Sequence, residues 1–468
     1  MVLSQTRTGR GAQNSAGASV WAESRETLSR RPALPGSASA DVAIIGAGFT
    51  GLWAAYYLLK DDPSLRVVLL ERECAGFGAS GRNGGWCSAI FPVSLDRVRK
   101  LYSHEAALDL QRAMNETVAE VGRVTQDEGV DCDFAAEGFV SLARTPAQLA
   151  RAKATVSATE AFGVHGQWQL LSGEQARAKI NAEGTLGGVH TPHCALLHPG
   201  KLVRGLATAV ENLGGTIFED TEVTGIGKGR VRTVHGTVTA PVVIRATEAF
   251  TPQFAGYRRH VAPLYSLVVA TAPLPDAVRE DPGLDSRIAF NDMRNLRIYA
   301  HPTVDGRLVF GGRGAPYHFR SKVSAEYDVA PRIHSKIIET MREFFPALAD
   351  VEITHRWGGP LGVPRDWFPS IGQDAESGIA WAGPYVGDGV ATSNLAGRIL
   401  RNLITGHSDE LNRLPVVNHI SPRWEIEPFR WIGVNAGLQA AGAADLEERL
   451  TNKPSKVSAL LEKLTGAH

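Results

Sequence analysis

The stretch from Asp41 to Glu71 restricts the fold more than any other part of this 468-residue chain. Val42-Ala43-Ile44-Ile45 is a short apolar run with β-branched members, bounded by glycine. Such a run reads as a buried parallel strand. Gly46-Ala47-Gly48-Phe49-Thr50-Gly51 follows it. Leu52, Ala55, Tyr56 and Leu59 then recur at helical spacing, and Asp61, Asp62 and Pro63 stop that helix. Val67 to Leu70 reads as a second strand, with Glu71 at its end. Strand, tight turn, helix and strand within about 30 residues form the opening of a βαβ unit.

Each glycine of the turn has a physical reason. Gly46 permits the tight bend, Gly48 lets a pyrophosphate approach the backbone, and Gly51 allows the helix to pack close to the sheet. Free N–H groups at the helix start, around Phe49 and Thr50, face an anion. Glu71 stands about 20 residues further on, where a carboxylate accepts hydrogen bonds from ribose hydroxyls. Arg72, next to it, joins the candidate set. The segment therefore implies dinucleotide binding; a packing glycine cluster is the plainer alternative. The fingerprint does not separate NAD from FAD.

Beyond it, Leu110, Met114, Val118 and Val121 lie on one helical face, as do Leu202, Leu206, Val210 and Leu213, ended by Gly214. Thr216–Thr224 and Val242–Ala246 read as strands. Leu264–Thr271, Leu296–Ala300 and Arg307–Phe310 read as alternating strands, with Asp305-Gly306 as a hairpin turn. A helix carrying Ile337, Ile338, Met341 and Phe344 follows, and a charged helix is expected near 444–464. The fold class is α/β. A Rossmann-like nucleotide domain is assembled from 38–105, 195–260 and 355–410. An inserted α+β substrate domain, 106–194 and 261–354, is built on an antiparallel sheet. Residues 411–468 form a C-terminal extension.

Residues 1–37 lack the apolar centre of a secretory signal and read as a disordered start. Arg7 and Arg10, with no acid before residue 20, give only a weak likeness to a transit peptide. Lys+Arg and Asp+Glu are equal at 49, so the basic excess of a nucleic-acid binder is missing. No run of about 18 apolar residues suggests a membrane span. Cys74, Cys87, Cys132 and Cys194 form no C-x-x-C pair, and His190, His193 and His198 lack a metal-ligand spacing. No metal is expected. So few thiols suit a reducing compartment, and the expected location is the cytoplasm.

Gly76-Phe77-Gly78-Ala79-Ser80-Gly81-Arg82-Asn83-Gly84-Gly85 is too glycine-rich for an ordinary helix or strand. It is either a wrap around an extended cofactor, with Ser80 on phosphate or ribitol and Arg82 balancing pyrophosphate charge, or a surface loop. Gly78–Gly85 resembles a segment of the FAD-dependent oxidoreductases of the D-amino-acid oxidase type. The likeness is strongest to the branch of γ-glutamylputrescine oxidase-like amine oxidases. Leu197–Arg204, Glu222-Val223-Thr224, Arg245–Thr251 with Ala246 and Thr247, Trp357–Pro360 and Gly383–Val390 resemble further family segments. The likeness runs in order over roughly residues 38–405. Glu248, where the family usually has Gly or Asn, and Tyr385-Val386-Gly387, in place of Phe-Ser-Gly, depart from it.

The resemblance implies FAD. With no His in Gly78–Gly85 and no Cys around Trp357–Gly372, the flavin is expected to be non-covalent. Val223 would meet the adenine, Ala246 and Thr247 the phosphates. Gly383, Gly387, Asp388, Gly389 and Val390 would lie by the ring, where a helix start stabilises negative charge. It also implies oxidation of an amine or amino acid to an imine, which hydrolyses to a carbonyl product. Tyr265, Arg297 and Tyr299 sit on strands in family-like positions. Arg297 is either a carboxylate ligand or a salt-bridged surface residue. Tyr265 and Tyr299 either wall the amine or are buried and satisfied. Trp86, Trp357 and Tyr385 either cage a cation or pack on the flavin. His198 is expected to be structural. Oxygen is one candidate electron acceptor, although Leu264–Thr271 contains no Lys. A hydroxy-acid or polyol dehydrogenase and a non-catalytic flavin scaffold remain as alternatives.

Overall fold

The computed structural model of the chain describes residues 18–25, 30–458 and 460. Val42–Ile45 is buried at all four positions and pairs in parallel with Val67–Leu70 and with Val242–Arg245. Burial on both faces is what an unbroken apolar run requires. Thr216–Phe218 extends one edge in parallel, Ile379–Ala382 the other, and Ile371–Asp374 closes that edge antiparallel. This six-stranded sheet is thus assembled from widely separated segments.

Helix Phe49–Asp61 packs between the helices Gly389–Thr405 and Pro199–Asn212. Leu52, Trp53, Leu59, Leu206, Leu395 and Ile399 join one apolar core there. Each such side chain contributes about 1.5–3 kcal/mol when buried. That core fixes the helix start that faces the cleft.

A second sheet has eight strands, in the order Ile353–Val363, Ala262–Thr271, Leu308–Gly312, Ile298–Pro302, Ala289–Asp292, Phe139–Ala143, Gly187–Thr191 and Gln169–Ser172. All neighbours are antiparallel except Ala289–Asp292 with Phe139–Ala143, which run parallel. Those two strands come from widely separated parts of the chain. No hairpin joins them, so no turn imposes an antiparallel pairing. The Asp305-Gly306 hairpin forms, with Gly306 at φ 78°. Helix Pro331–Phe344 buries Ile337, Met341 and Phe344 against this sheet.

Four expectations need correction. Ile353–Val363 pairs along its length with Ala262–Thr271, so residues 355–363 belong to the large sheet and not to the nucleotide sheet. Thr216–Thr224 is not one strand: it breaks after Phe218, and pairing resumes at Val223 in a separate four-stranded sheet. At the break, Glu219 accepts the N–H groups of Arg31 and Ala75 at 3.0 and 2.9 Å. The N-terminal segment is packed where it is described. Val20–Arg25 is a short helix, the Trp21 indole N–H donates to the Asn83 carbonyl at 2.8 Å, and Arg31 pairs with Glu211 at 2.6 Å. Residues 1–17 and 26–29 lie outside the described residues. The last long helix starts early, at Phe429, and runs to Thr451. Residues 459 and 461–464 of the expected 444–464 helix lie outside the described residues. No helix among the described residues is long and apolar enough to cross a membrane.

Candidate active site

A cavity of about 400 Å³ opens at the carboxyl ends of Val42–Ile45, Val67–Leu70 and Val242–Arg245. This is where open α/β sheets bind ligands. Its walls bring together Gly46, Gly48, Phe49, Thr50, Glu71, Arg72, Gly78, Ala79, Ser80, Asn83, Val223, Ala246, Thr247, Gly387, Gly389 and Val390. Phe77 and Phe250, from two of the quoted segments, line it too, as do Leu361 and Ser393, which had no motif to announce them.

Backbone approach is built in. Gly46 has φ 101°, and a Cβ there would stand 2.7 Å from the Ala246 carbonyl oxygen. A Cβ on Gly48 would stand 2.9 Å from Ser80 Oγ, which itself accepts the Phe49 N–H at 2.8 Å. Glu71 accepts the N–H groups of Ala47 and Glu73 at 2.9 and 3.0 Å. Burial raises its pKa, and those two N–H groups and Arg72 oppose the rise. Each carboxylate oxygen keeps a further lone pair for a hydroxyl. Glu248 aims its oxygens at the Gly362 N–H, at 2.8 and 3.0 Å, and burial pushes its carboxyl up to about 7.

The remaining candidates lie behind this wall. A Cβ on Gly51 would strike the Gly46 carbonyl, so Gly51 serves the turn itself. Gly84 packs under the Tyr299 ring and Gly85 against the Leu197 carbonyl. Gly383 packs near the Tyr385 ring. Arg82 does not reach the cleft. It forms an ion pair with Asp328, donates to the Phe77 carbonyl at 2.9 Å and stacks on the Phe77 ring. Its charge is therefore matched within the protein by Asp328. Asp388 precedes the Gly389–Thr405 helix; burial pushes it up to about 6, against the pull of Arg313 and Arg297.

A second cavity, of about 1150 Å³, meets the first at Leu361 and at the adjoining residues Val386 and Gly387. Tyr265, Arg297, Arg313 and Trp367 line it, and helix Phe429–Thr451 forms its far wall. Arg313 marks the junction: it donates to the Val386 carbonyl at 2.6 Å. Sequence reasoning missed Arg313, whose only signal was its place just after a glycine-ended strand. The Tyr265 hydroxyl donates to the Ser324 carbonyl and accepts its N–H, at 3.2 and 3.1 Å. Burial pushes its pKa up to about 12.

Four aromatic candidates are not in this chamber. Tyr299 is wedged between Gly84 and Gly311, and its hydroxyl bonds Ser266 Oγ at 2.9 Å. Trp357 is fully buried and donates to the Arg82 carbonyl at 2.8 Å, so it cannot cage a substrate cation. Tyr385 lines the first cavity and bonds Thr50 Oγ1 at 3.0 Å. Trp86 packs against Phe139, ring centroids 4.9 Å apart and planes tilted by 51°. His198 caps the Pro199–Asn212 helix by accepting the Lys201 N–H at 3.1 Å. Among the described residues no group of three or more His, Cys, Asp or Glu is placed to hold a metal.

A dinucleotide cleft that opens at one end onto a roomy second chamber defines the class: a protein that presents an extended redox cofactor to a separate ligand. The chain belongs to the DAO family of FAD dependent oxidoreductases, whose sequence model matches residues 41–403. It is 30% identical over 388 residues to a probable oxidoreductase OrdL of Rhizobium meliloti (strain 1021), covering 82% of this chain and 87% of the relative. It is 29% identical over 413 residues to the gamma-glutamylputrescine oxidoreductase of Escherichia coli (strain K12), covering 86% and 92%. Glycine oxidase from Bacillus cereus ATCC 14579 has the same fold, with a TM-score of 0.66 at 21% identity over 83% of this chain and 99% of that one. The protein is therefore an enzyme, an FAD-dependent oxidoreductase. The bare backbone at Gly46, Gly48, Gly387 and Gly389 and the held carboxylate of Glu71 fit that cofactor. Binding is non-covalent, as is typical of the family, and no Cys or His occurs among the described lining residues of the cleft.

Proposed function

We propose that the enzyme oxidises the C–N bond of an amine or N-substituted amino acid, leaving an imine that water hydrolyses to a carbonyl product. The observation that carries this reading is the junction at Leu361, where the chamber holding Tyr265, Arg297 and Arg313 meets the FAD cleft. FAD, when bound, supplies the electron sink and takes up the hydride from the carbon beside nitrogen. The chain's own residues bind and orient. Arg297 and Arg313 offer guanidinium groups for a substrate carboxylate at that junction. Backbone N–H groups at the start of Gly389–Thr405, where Gly389 and Val390 line the cleft, would favour negative charge on a bound cofactor. No side chain is assigned as a base, because a neutral amine needs none for this step. The relative from Escherichia coli, named for an amine substrate, supports the chemistry. Only four cysteines in 468 residues, none in a C-x-x-C pair, support a reducing, cytoplasmic setting.

The test is an aerobic assay of the purified holoenzyme with amines, N-methylated amino acids, hydroxy acids and polyols. The reading expects carbonyl product and released ammonia or amine from the nitrogen compounds only. Turnover confined to hydroxy acids or polyols would replace it. Peroxide formed in step with product identifies oxygen as the acceptor; its absence points to a separate carrier.

A further inference from the structure

The chamber is larger than a small amino acid needs. Ligand pockets for drug-sized molecules run to roughly 300–1,000 Å³, and this one is about 1150 Å³. Its lining is mostly apolar beyond the arginines, and it extends from the junction at Arg313 to helix Phe429–Thr451. That helix lies outside the family-matched residues 41–403. It is fixed in place as a wall. Asp445 accepts the backbone N–H groups of Asn295 and Leu296 at 2.6 and 2.9 Å, just before Arg297. Glu448 pairs with Arg151 at 2.6 Å, and Asn435 exchanges hydrogen bonds with the Tyr317 backbone at 3.0 and 3.1 Å.

Among larger lining residues such as Phe429, Val434 and Leu438, the helix presents Gly433, Gly437, Ala440 and Ala441 to the chamber. Glycine weakens a helix interior relative to alanine. At Gly433 and Gly437 a Cβ would meet nothing within 4 Å. No protein neighbour therefore limits the side chain at either position, and at Gly437 the open room is part of the chamber.

We infer that helix Phe429–Thr451 is a specificity wall, and that the chamber takes an amine or N-substituted amino acid with a carboxylate at Arg297 and Arg313 and a long, largely apolar chain running past Gly437. The inference rests on the proposed amine chemistry for the reacting end, but the wall itself is a matter of space. A bulky residue at Gly437 fills the path of the chain, and the loss of room for one or more methylenes changes selectivity about tenfold or more.

The experiment compares the full-length holoenzyme with Gly437→Leu and Gly442→Leu. Gly442 lies on the same helix, also has nothing within 4 Å of an added Cβ, and does not line the chamber. N-methylglycine and N-octylglycine are the substrates, and the readout is the ratio of their kcat/KM values. Wild type and Gly442→Leu are expected to favour the octyl compound, and Gly437→Leu to lower that ratio about tenfold or more. A ratio unchanged by Gly437→Leu, or lowered equally by Gly442→Leu, overturns the wall. Should neither glycine derivative be oxidised, acetate and dodecanoate are titrated against the bound FAD absorbance. Tighter dodecanoate binding that Gly437→Leu abolishes keeps the wall and rejects the amine chemistry. Equal or absent binding of the two rejects the wall.

Discussion

The two cavities are built from different materials. The FAD cleft is made by the backbone: glycines at 46, 48, 387 and 389, helix N–H groups, and a carboxylate held by two further N–H groups. The chamber is made by side chains from distant elements: Tyr265 on one strand, Arg297 and Arg313 flanking another pair, and a helix near the C-terminus. A backbone site needs particular residues at fixed local spacing, because only glycine leaves room or adopts the required φ. A side-chain site needs only that the fold bring residues together. The first tolerates little change; the second is free to alter what it accepts.

The largest effect expected from this contrast is at Gly48. Gly48→Val puts branched carbon where Ser80 and the pyrophosphate path lie. The purified protein should be colourless, with FAD below about a tenth of stoichiometric; emptying a nearly filled site that far takes a roughly 1,000-fold weaker Kd, about 4 kcal/mol of binding. Retained stoichiometric FAD would show that the cleft is misplaced. Next comes Trp21, which reaches in from the N-terminal segment to hold the Asn83 carbonyl and packs beside His301 and Trp357. Trp21→Ala should cost about 3–5 kcal/mol of stability and loosen FAD, read by denaturant titration and by flavin release. A normal unfolding midpoint would mean that the segment is dispensable to the cleft.

The chamber should respond differently. Arg297→Met is expected to raise KM for carboxylated substrates about tenfold or more, as for losing a charged hydrogen bond, while FAD content changes far less. An unchanged KM removes Arg297 from the site. The smallest effect is at Glu248, which touches the cleft and the large sheet together. Burial lifts its pKa from the ordinary 4.5 to about 7. The folded protein then binds that proton more tightly than the unfolded chain, so stability falls as pH rises from about 4.5 to about 7. Glu248→Gln should flatten the fall in thermal midpoint over that range. Asp388, raised from 3.8 to about 6, keeps part of the slope at its lower end. Identical pH profiles for wild type and variant would show that Glu248 carries no such penalty.

The same contrast explains what could be read in the chain of letters. Val42–Ile45, Gly46–Gly51 and Glu71 act within one local unit, so spacing alone revealed the cleft. Arg82 looked equally apt for phosphate, yet Asp328, far away in sequence, holds it. Trp357 read as either a cation cage or a ring packed on the flavin, and it is a fully buried donor to the Arg82 carbonyl. Arg313, Leu361 and the glycines at 433 and 437 carry no local pattern, because their place at the chamber is set by sheet pairing and by one helix near the C-terminus. The break at Glu219 was hidden for a similar reason: its carboxylate serves Arg31 and Ala75 from other segments.

The most direct measurement is anaerobic mixing of the purified yellow holoenzyme with N-methylated and N-alkylated amino acids. The flavin absorbance near about 450 nm should bleach, and a carbonyl compound should form in amounts equal to the flavin reduced. A flavin that stays oxidised with every amine, while the protein holds it at full stoichiometry, would contradict the claim that the chamber presents a C–N bond to the cleft.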